Sequence, residues 1–147
     1  LQDSKKLIPD TLVPNLDPIQ GFPDVPDWHQ FEHDIWRNGE IIRQMLKVHR
    51  SLYKDKLLME DIVSICLNRN AKRGRQSFIM LLWNKFGLPF VDKLVEHLDD
   101  KSVDGHIIEG LNKMKAPGYS SKIQPFCLHK TTWIRKQAQK YIEKYEN

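Results

Sequence analysis

The chain is predicted to be all-α, a short right-handed α-α superhelix of about four helical hairpins behind an extended, proline-rich N-terminal segment. Three observations predict it. Apolar residues recur at helical spacing through most of the 147 residues, and no stretch sustains the period-two alternation of a strand. One helix pair is written three times: Leu67, Leu98 and Leu128 close a first helix, a polar loop follows, and Arg75, Gly105 and Arg135 fall at matching places in the second, as do Phe78, Ile108 and Ala138. A repeat of about 30 residues is the size of a helical hairpin that buries its apolar face only against a neighbour.

Residues 1–26 hold Pro9, Pro14, Pro18, Pro23 and Pro26, spaced so that no helix can propagate through them, and this leader is expected to be extended. Its apolar residues, among them Leu7, Ile8, Leu12, Val13, Leu16, Ile19, Phe22 and Val25, are too many for a free linker. The leader should therefore lie along the body and bury part of that set. Residues 27–147 read as a single helical domain.

Asp27 is the expected N-cap of a helix over residues 28–37 with Phe31 and Ile35 inward, stopped by Asn38-Gly39 in the left-handed region. A longer helix should follow over residues 40–53, burying Ile41, Ile42, Met45, Leu46, Val48, Leu52 and Tyr53. The next pair is predicted at residues 58–67, with Met59, Ile62, Val63 and Cys66 on one face, and at residues 74–86, with Phe78, Leu81, Leu82 and Phe86 inward until Gly87 and Pro89 end it. The third runs over residues 89–98 and 104–115, and the fourth over residues 121–128 and 133–145, where Ile134, Ala138, Tyr141, Ile142 and Tyr145 make the stripe.

The formal charge of +4 conceals a division. Residues 1–34 carry two lysines against seven acids, and the remainder carries 21 bases against 12 acids. A basic body suits an acidic partner, and an acidic leader can fold back on it. The longest apolar run, Phe78 to Trp83, is far short of the roughly 20 residues that cross a bilayer, so no membrane partner is expected. Cys66 and Cys127 each stand at an apolar helical position, which predicts two buried thiols and points to the cytoplasm.

The segment from Leu94 to Val103, with Asp99-Asp100 in its turn, and the segment Lys130-Thr-Thr-Trp-Ile-Arg-Lys-Gln-Ala-Gln-Lys-Tyr-Ile142 together resemble HEAT-like repeats of the short, PBS-lyase type. In that family an aspartate-rich turn ends the first helix, and the second opens with a valine or isoleucine before an arginine, with an alanine three residues on. Ile134, Arg135 and Ala138 match that opening. Gly105 stands where the arginine belongs in the preceding unit, and His129-Lys130 replace the acidic turn in the last. The resemblance implies a solenoid; HEAT-like arrays serve as scaffolds and nucleic-acid binders, and a few are enzymes, so fold alone names no function.

Chemistry-bearing patterns are few. His29-Gln-Phe-Glu-His33 fits the H-x-x-E-H pattern of inverted zinc peptidases, whose two imidazoles face one side of a helix. It sits at a helix start whose inner face is claimed by Phe31 and Ile35, and it has no obvious downstream carboxylate as third ligand, so neither a metal nor a cofactor is expected. Phosphate loops, dinucleotide fingerprints and nucleophile elbows are absent from the sequence. Arg69, Lys72, Arg73 and Arg75 place four cations and a glycine in a loop before a helix, a pattern that suits phosphate or an acidic protein surface. The bland counterpart is a solvated turn with Arg75 paired to a neighbouring repeat. Trp133 is expected in the core, and Trp83, off the main stripe, against either the leader or a ligand.

These readings converge on a non-catalytic protein-binding module or scaffold. Its binding face is expected among Arg69, Lys72, Arg73, Arg75, Trp83, His106, Arg135, Lys136 and Lys140, and its partner is expected to be a protein with an acidic surface. The second reading is a nucleic-acid-binding protein similar to HEAT-like DNA alkylation repair proteins, holding the backbone on a basic concave surface.

Overall fold

In the computed structural model residues 1–145 are described. Helices are the regular secondary structure among them, and an isolated bridge between Pro18 and Pro26 is the only strand-like pairing. The chain divides into two compact units, Leu1–Phe78 and Ile79–Asn147.

The first unit opens with α1 (Gln2–Leu7), so the leader begins with a helix rather than extended chain. The six residues precede the first proline and make fewer than two turns. Lys5 Nζ ties this turn to Asp61 at 2.6 Å, and Asn38 Nδ2 donates to Ser4 Oγ at 3.1 Å. From Pro9 to Asp27 the prolines do prevent helix.

The main element is α2 (Gln30–Val48), one uninterrupted helix of 19 residues. The expected stop at Asn38-Gly39 does not occur. Gly39 instead admits a neighbour, since a Cβ there would stand 2.0 Å from Ser77 Oγ and 2.8 Å from Ser77 Cβ. The glycine is an approach site in the middle of a helix, where its cost of about 1 kcal/mol relative to alanine is offset by the contact it permits. Because the helix is continuous, its inner face keeps one phase through Glu32, Ile35, Gly39 and Leu46, all buried. Ile41, Met45 and Val48 fall on the opposite side and are exposed, contrary to the expectation that they pack inward.

A 3-10 turn, Arg50–Lys54, buries Tyr53 and leads to α3 (Lys56–Cys66), capped by Asp55, whose Oδ1 accepts from Leu58 N at 3.1 Å. Met59, Ile62, Val63, Ile65 and Cys66 are buried, and burial pushes the Cys66 thiol far up, so it is an inert core group. The helix expected over residues 74–86 is replaced by a 3-10 segment, Arg69–Arg75, the short α4 (Gln76–Met80) and a turn. Asn84 breaks the run by accepting from Phe86 N at 2.9 Å and donating to the Leu81 carbonyl at 3.0 Å.

In the second unit a 3-10 segment, Lys85–Phe90, contains Pro89 and leaves only α5 (Val91–Val95) of the helix expected over residues 89–98. Then comes α6 (Asp104–Met114), closed by Lys115 in the left-handed region at φ 56°. The helix expected over residues 121–128 is α7 (Ser120–Ile123) followed by the 3-10 segment Gln124–Leu128, since Pro125 denies the α hydrogen bond. The change of pitch turns Leu128 outward, 90% exposed, and leaves Cys127 half-buried rather than buried. The last described helix is α8 (Thr132–Tyr145).

Helices α6 and α8 pack with their N-termini together. A Cβ on Gly105 would meet Trp133 Cη2 at 2.4 Å and Ile134 Cγ1 at 2.7 Å, and further along Asn112 Nδ2 donates to the Gln137 carbonyl at 3.0 Å. Near the C-terminal end of α6, Tyr141 Oη donates to the Ala116 carbonyl at 2.5 Å. No side chain fits at position 105. Trp133 lies across that glycine and stays 41% exposed instead of entering the core.

Gly39→Ala is expected to lower stability by about 1–3 kcal/mol, the usual cost of overpacking a tight contact. In a helix free of that contact the same change would stabilise by about 1 kcal/mol. The urea midpoint of the variant decides between the two signs, and an unchanged or raised midpoint would sink the close-approach account.

Candidate functional site

The cationic loop of residues 69–75 is the first candidate, and Lys72, Arg73 and Arg75 each donate hydrogen bonds within the first unit. Glu32, 1% exposed, accepts from His29 N with Oε2 at 2.7 Å and from Arg73 N with Oε1 at 3.0 Å, and the Arg73 Nε lies 3.5 Å from the same carboxylate. Arg73 also donates to the Asp27 carbonyl at 2.7 Å and lies over the Trp28 ring at 5.0 Å. Lys72 is buried, with Nζ on Asn15 Oδ1 at 2.6 Å. Its backbone stands at φ 50°, ψ −132°, a conformation costly to any residue with a Cβ. Arg75 is 0% exposed and donates from Nε to the Lys72 carbonyl at 2.8 Å. Arg69 is half-buried. The loop is a buried hub that holds the leader and α2 together.

The H-x-x-E-H pattern is absorbed in the same place. His29 precedes α2 and its Nε2 meets the Pro14 carbonyl at 2.9 Å, while His33 stacks on Trp28 at 5.0 Å. Glu32 between them is the carboxylate already committed to the loop. Among the described residues no three His, Cys, Asp or Glu side chains gather as a metal site requires.

The second candidate lies in the other unit, where α6 and α8 leave an open groove of about 170 Å³ lined by Glu109, Asn112, Lys113, Gln137 and Lys140. Helical spacing puts His106, Glu109, Gly110 and Lys113 on one side of α6. Trp83 lies on that side: a Cβ at Gly110 would stand 2.8 Å from its ring, and Trp83 Nε1 donates to the His106 carbonyl at 2.9 Å. The His106 ring lies between two tryptophans, stacked on Trp83 at 6.1 Å and edge-on to Trp133 at 5.5 Å. Burial there lowers its pKa to about 4. Lys113 Nζ lies 5.8 Å from the centre of the Trp83 ring.

Lys113 and Lys140 are exposed and, among the described residues, neither makes an ion pair. The groove floor is a pair of amides: Asn112 Nδ2 donates to Gln137 Oε1 at 2.8 Å, and Asn112 Oδ1 is shut from solvent with no hydrogen-bond partner. Arg135 does not join them. Its guanidinium folds back on the His129 carbonyl at 2.8 Å, closing the turn before α8, and Lys136 is exposed one position on.

Of the nine residues singled out from the sequence, Trp83, His106 and Lys140 are thus brought to one face, whereas Lys72, Arg73 and Arg75 serve the interior of the other unit. Glu109, Asn112, Lys113 and Gln137 complete the groove. Lys113 stands at helical spacing from His106, Glu109 and Gly110, a pattern the sequence carries, whereas the amide pair has no sequence signature. A group this small and mixed can hold polar and charged atoms of a ligand, and it offers no nucleophile beside a base. No family model, no curated protein and no solved structure matches the chain.

The environment of His106 makes a pH-dependence specific to this face. An imidazole in the unfolded chain takes its proton near 6.5, whereas His106 in the fold takes it near 4. Between those values the unfolded state binds more protons, so the stability His106 contributes is present above the upper value and lost as pH falls toward the lower. Replacing His106 by Gln should therefore reduce the fall in denaturant midpoint between about pH 7 and about pH 4.5. An identical fall in both proteins would remove the buried-imidazole account.

Proposed function

We propose that the chain is a non-catalytic protein-binding module built on a short HEAT-like array, and that it receives an acidic protein segment in the groove between α6 and α8. The observation that carries this is the unpaired state of Lys113 and Lys140 on an open, polar groove, set against the internal use of Lys72, Arg73 and Arg75. Two lysines that make no ion pair, against a single acid in the groove, attract acidic groups and steer their approach.

Two features support a polypeptide over a nucleic acid as the ligand. Glu109 stands in the groove wall, where it repels a phosphate chain but can accept from backbone or side-chain donors. The Trp83 ring is already occupied by His106, Lys113 and its own hydrogen bond, so no free platform for stacking bases remains on it. The repeat reading is supported by the parallel course of α6 and α8, with contacts about 25–30 residues apart along their length, the spacing expected when second helices of successive hairpins stack.

The test is a titration of a labelled glutamate-rich peptide and of a labelled DNA duplex, each at about 50 and about 200 mM salt. The peptide should bind, and the double variant Lys113→Glu/Lys140→Glu should weaken it about tenfold, equivalent to about 1.4 kcal/mol. Duplex binding that is tighter than peptide binding and falls steeply with salt would overturn the proposal in favour of a nucleic-acid protein.

A further inference from the structure

The outer side of α2 carries an apolar stripe that the first unit does not use. Ile41, Met45 and Val48, at i, i+4 and i+7, are 60%, 46% and 76% exposed. They span about 10 Å of helix and lie on one side of it. Three aliphatic side chains in a row on solvent are uncommon on a surface that meets only water. The stripe is framed by cations. Arg37 and Lys47 are exposed on the same helix, and Arg50, Lys54 and Lys56 follow in the chain. Among the described residues Lys47, Lys54 and Lys56 make no ion pair.

The complement of this surface exists elsewhere in the same unit. Residues 10–27 contain four aspartates and no base. Their tip is a closed loop rather than loose chain: Ile19 N donates to the Val25 carbonyl at 2.9 Å, Phe22 N to the Ile19 carbonyl at 2.9 Å, and Asp27 N to the Asp17 carbonyl at 3.0 Å, with Gly21 turning at φ 85°. That loop presents Leu16, Ile19, Phe22 and Val25 to solvent, Phe22 at 61% exposure. Its base is anchored to its own unit by the Pro14 carbonyl on His29 and by Asn15 on Lys72. An apolar knob with acidic flanks, already ordered before it meets anything, loses little freedom on docking.

The geometry points to self-association, in which the acidic loop of residues 16–27 in one copy docks on the Ile41–Met45–Val48 stripe of a second copy. The two patches match in both properties that govern such contacts, apolar against apolar at the centre and acidic against basic at the rim. Knob and stripe are different surfaces, so the contact either closes reciprocally as a dimer or continues head to tail. The inference involves the first unit alone and stands apart from the groove between α6 and α8.

The test uses the full chain and two variants at exposed positions, Phe22→Asp and Ile41→Asp, each checked for an unchanged helical circular dichroism spectrum. Sedimentation across about 1 to 200 μM should show the native chain associating and each variant dissociating at least tenfold more readily, a loss of about 1.4 kcal/mol or more. Mixed together the variants should associate again, because Ile41→Asp retains an intact knob and Phe22→Asp an intact stripe. A native chain that stays monomeric overturns the inference, whether or not it binds anionic vesicles. So does a mixture that fails to associate, or a Phe22→Asp variant that associates like the native chain.

Discussion

The first unit depends on one seating: residues 69–77 pressed onto the inner face of α2 with no room for a β-carbon at Gly39 or Gly74. A Cβ on Gly74 would meet Ile35 Cβ at 2.9 Å and the Glu32 carbonyl at 3.0 Å, as one on Gly39 would meet Ser77. Backbone this close cannot be hydrated, so its polar groups need partners from the protein itself. The buried Glu32 carboxylate supplies them, accepting from Arg73 N and His29 N together. The strained Lys72 backbone and the enclosed Arg75 follow from the same geometry, since the chain must reverse within the loop while staying in contact with the helix. Strain of that order, about 1–3 kcal/mol, persists only where surrounding packing overdetermines the conformation.

The seating also decides which charges the molecule can offer. Cations that read in sequence as a phosphate-binding turn become internal hydrogen-bond donors, with Arg73 shared among a carboxylate, a carbonyl and an indole. Exposed cations lie elsewhere, among them lysines on the groove of α6 and α8 and lysines around the outer stripe of α2. Both surfaces exist because a helix has more sides than the core can cover. In the second unit glycines play the same part as Gly39 and Gly74. Gly105 and Gly110 let Trp133 and Trp83 lie directly on α6, which encloses His106 between them and leaves Lys113 at the edge.

Much of the fold was legible in the residues. Helical periodicity located α3, α6 and α8 within a residue or two, with Asp55 capping the start of α3 and Lys115 closing α6 in the left-handed region. Periodicity failed where two explanations share one symbol. Asn38-Gly39 is a stop signal when nothing approaches the helix and a contact site when Ser77 does, and only the partner tells them apart. The apolar residues of α2 circle more than half of the helix, so the pattern could not say which arc faces inward. Asn84 and Pro125 broke helices that hydrophobic spacing alone would have continued.

By itself the sequence determined the helical class, the places of α3, α6 and α8, the acidic leader and the basic remainder. These follow from local rules, namely spacing, proline's missing amide hydrogen and summed charge. Tertiary structure decided the engagement of each charge and the direction of each apolar face. Those depend on what stands within a few ångströms across the fold: a carboxylate 41 positions from the arginine it holds, a glycine under a tryptophan, two helices whose amides meet and leave two lysines unmatched. Proximity between residues remote in sequence is set by packing, and packing is a property of the whole chain, which no local pattern encodes.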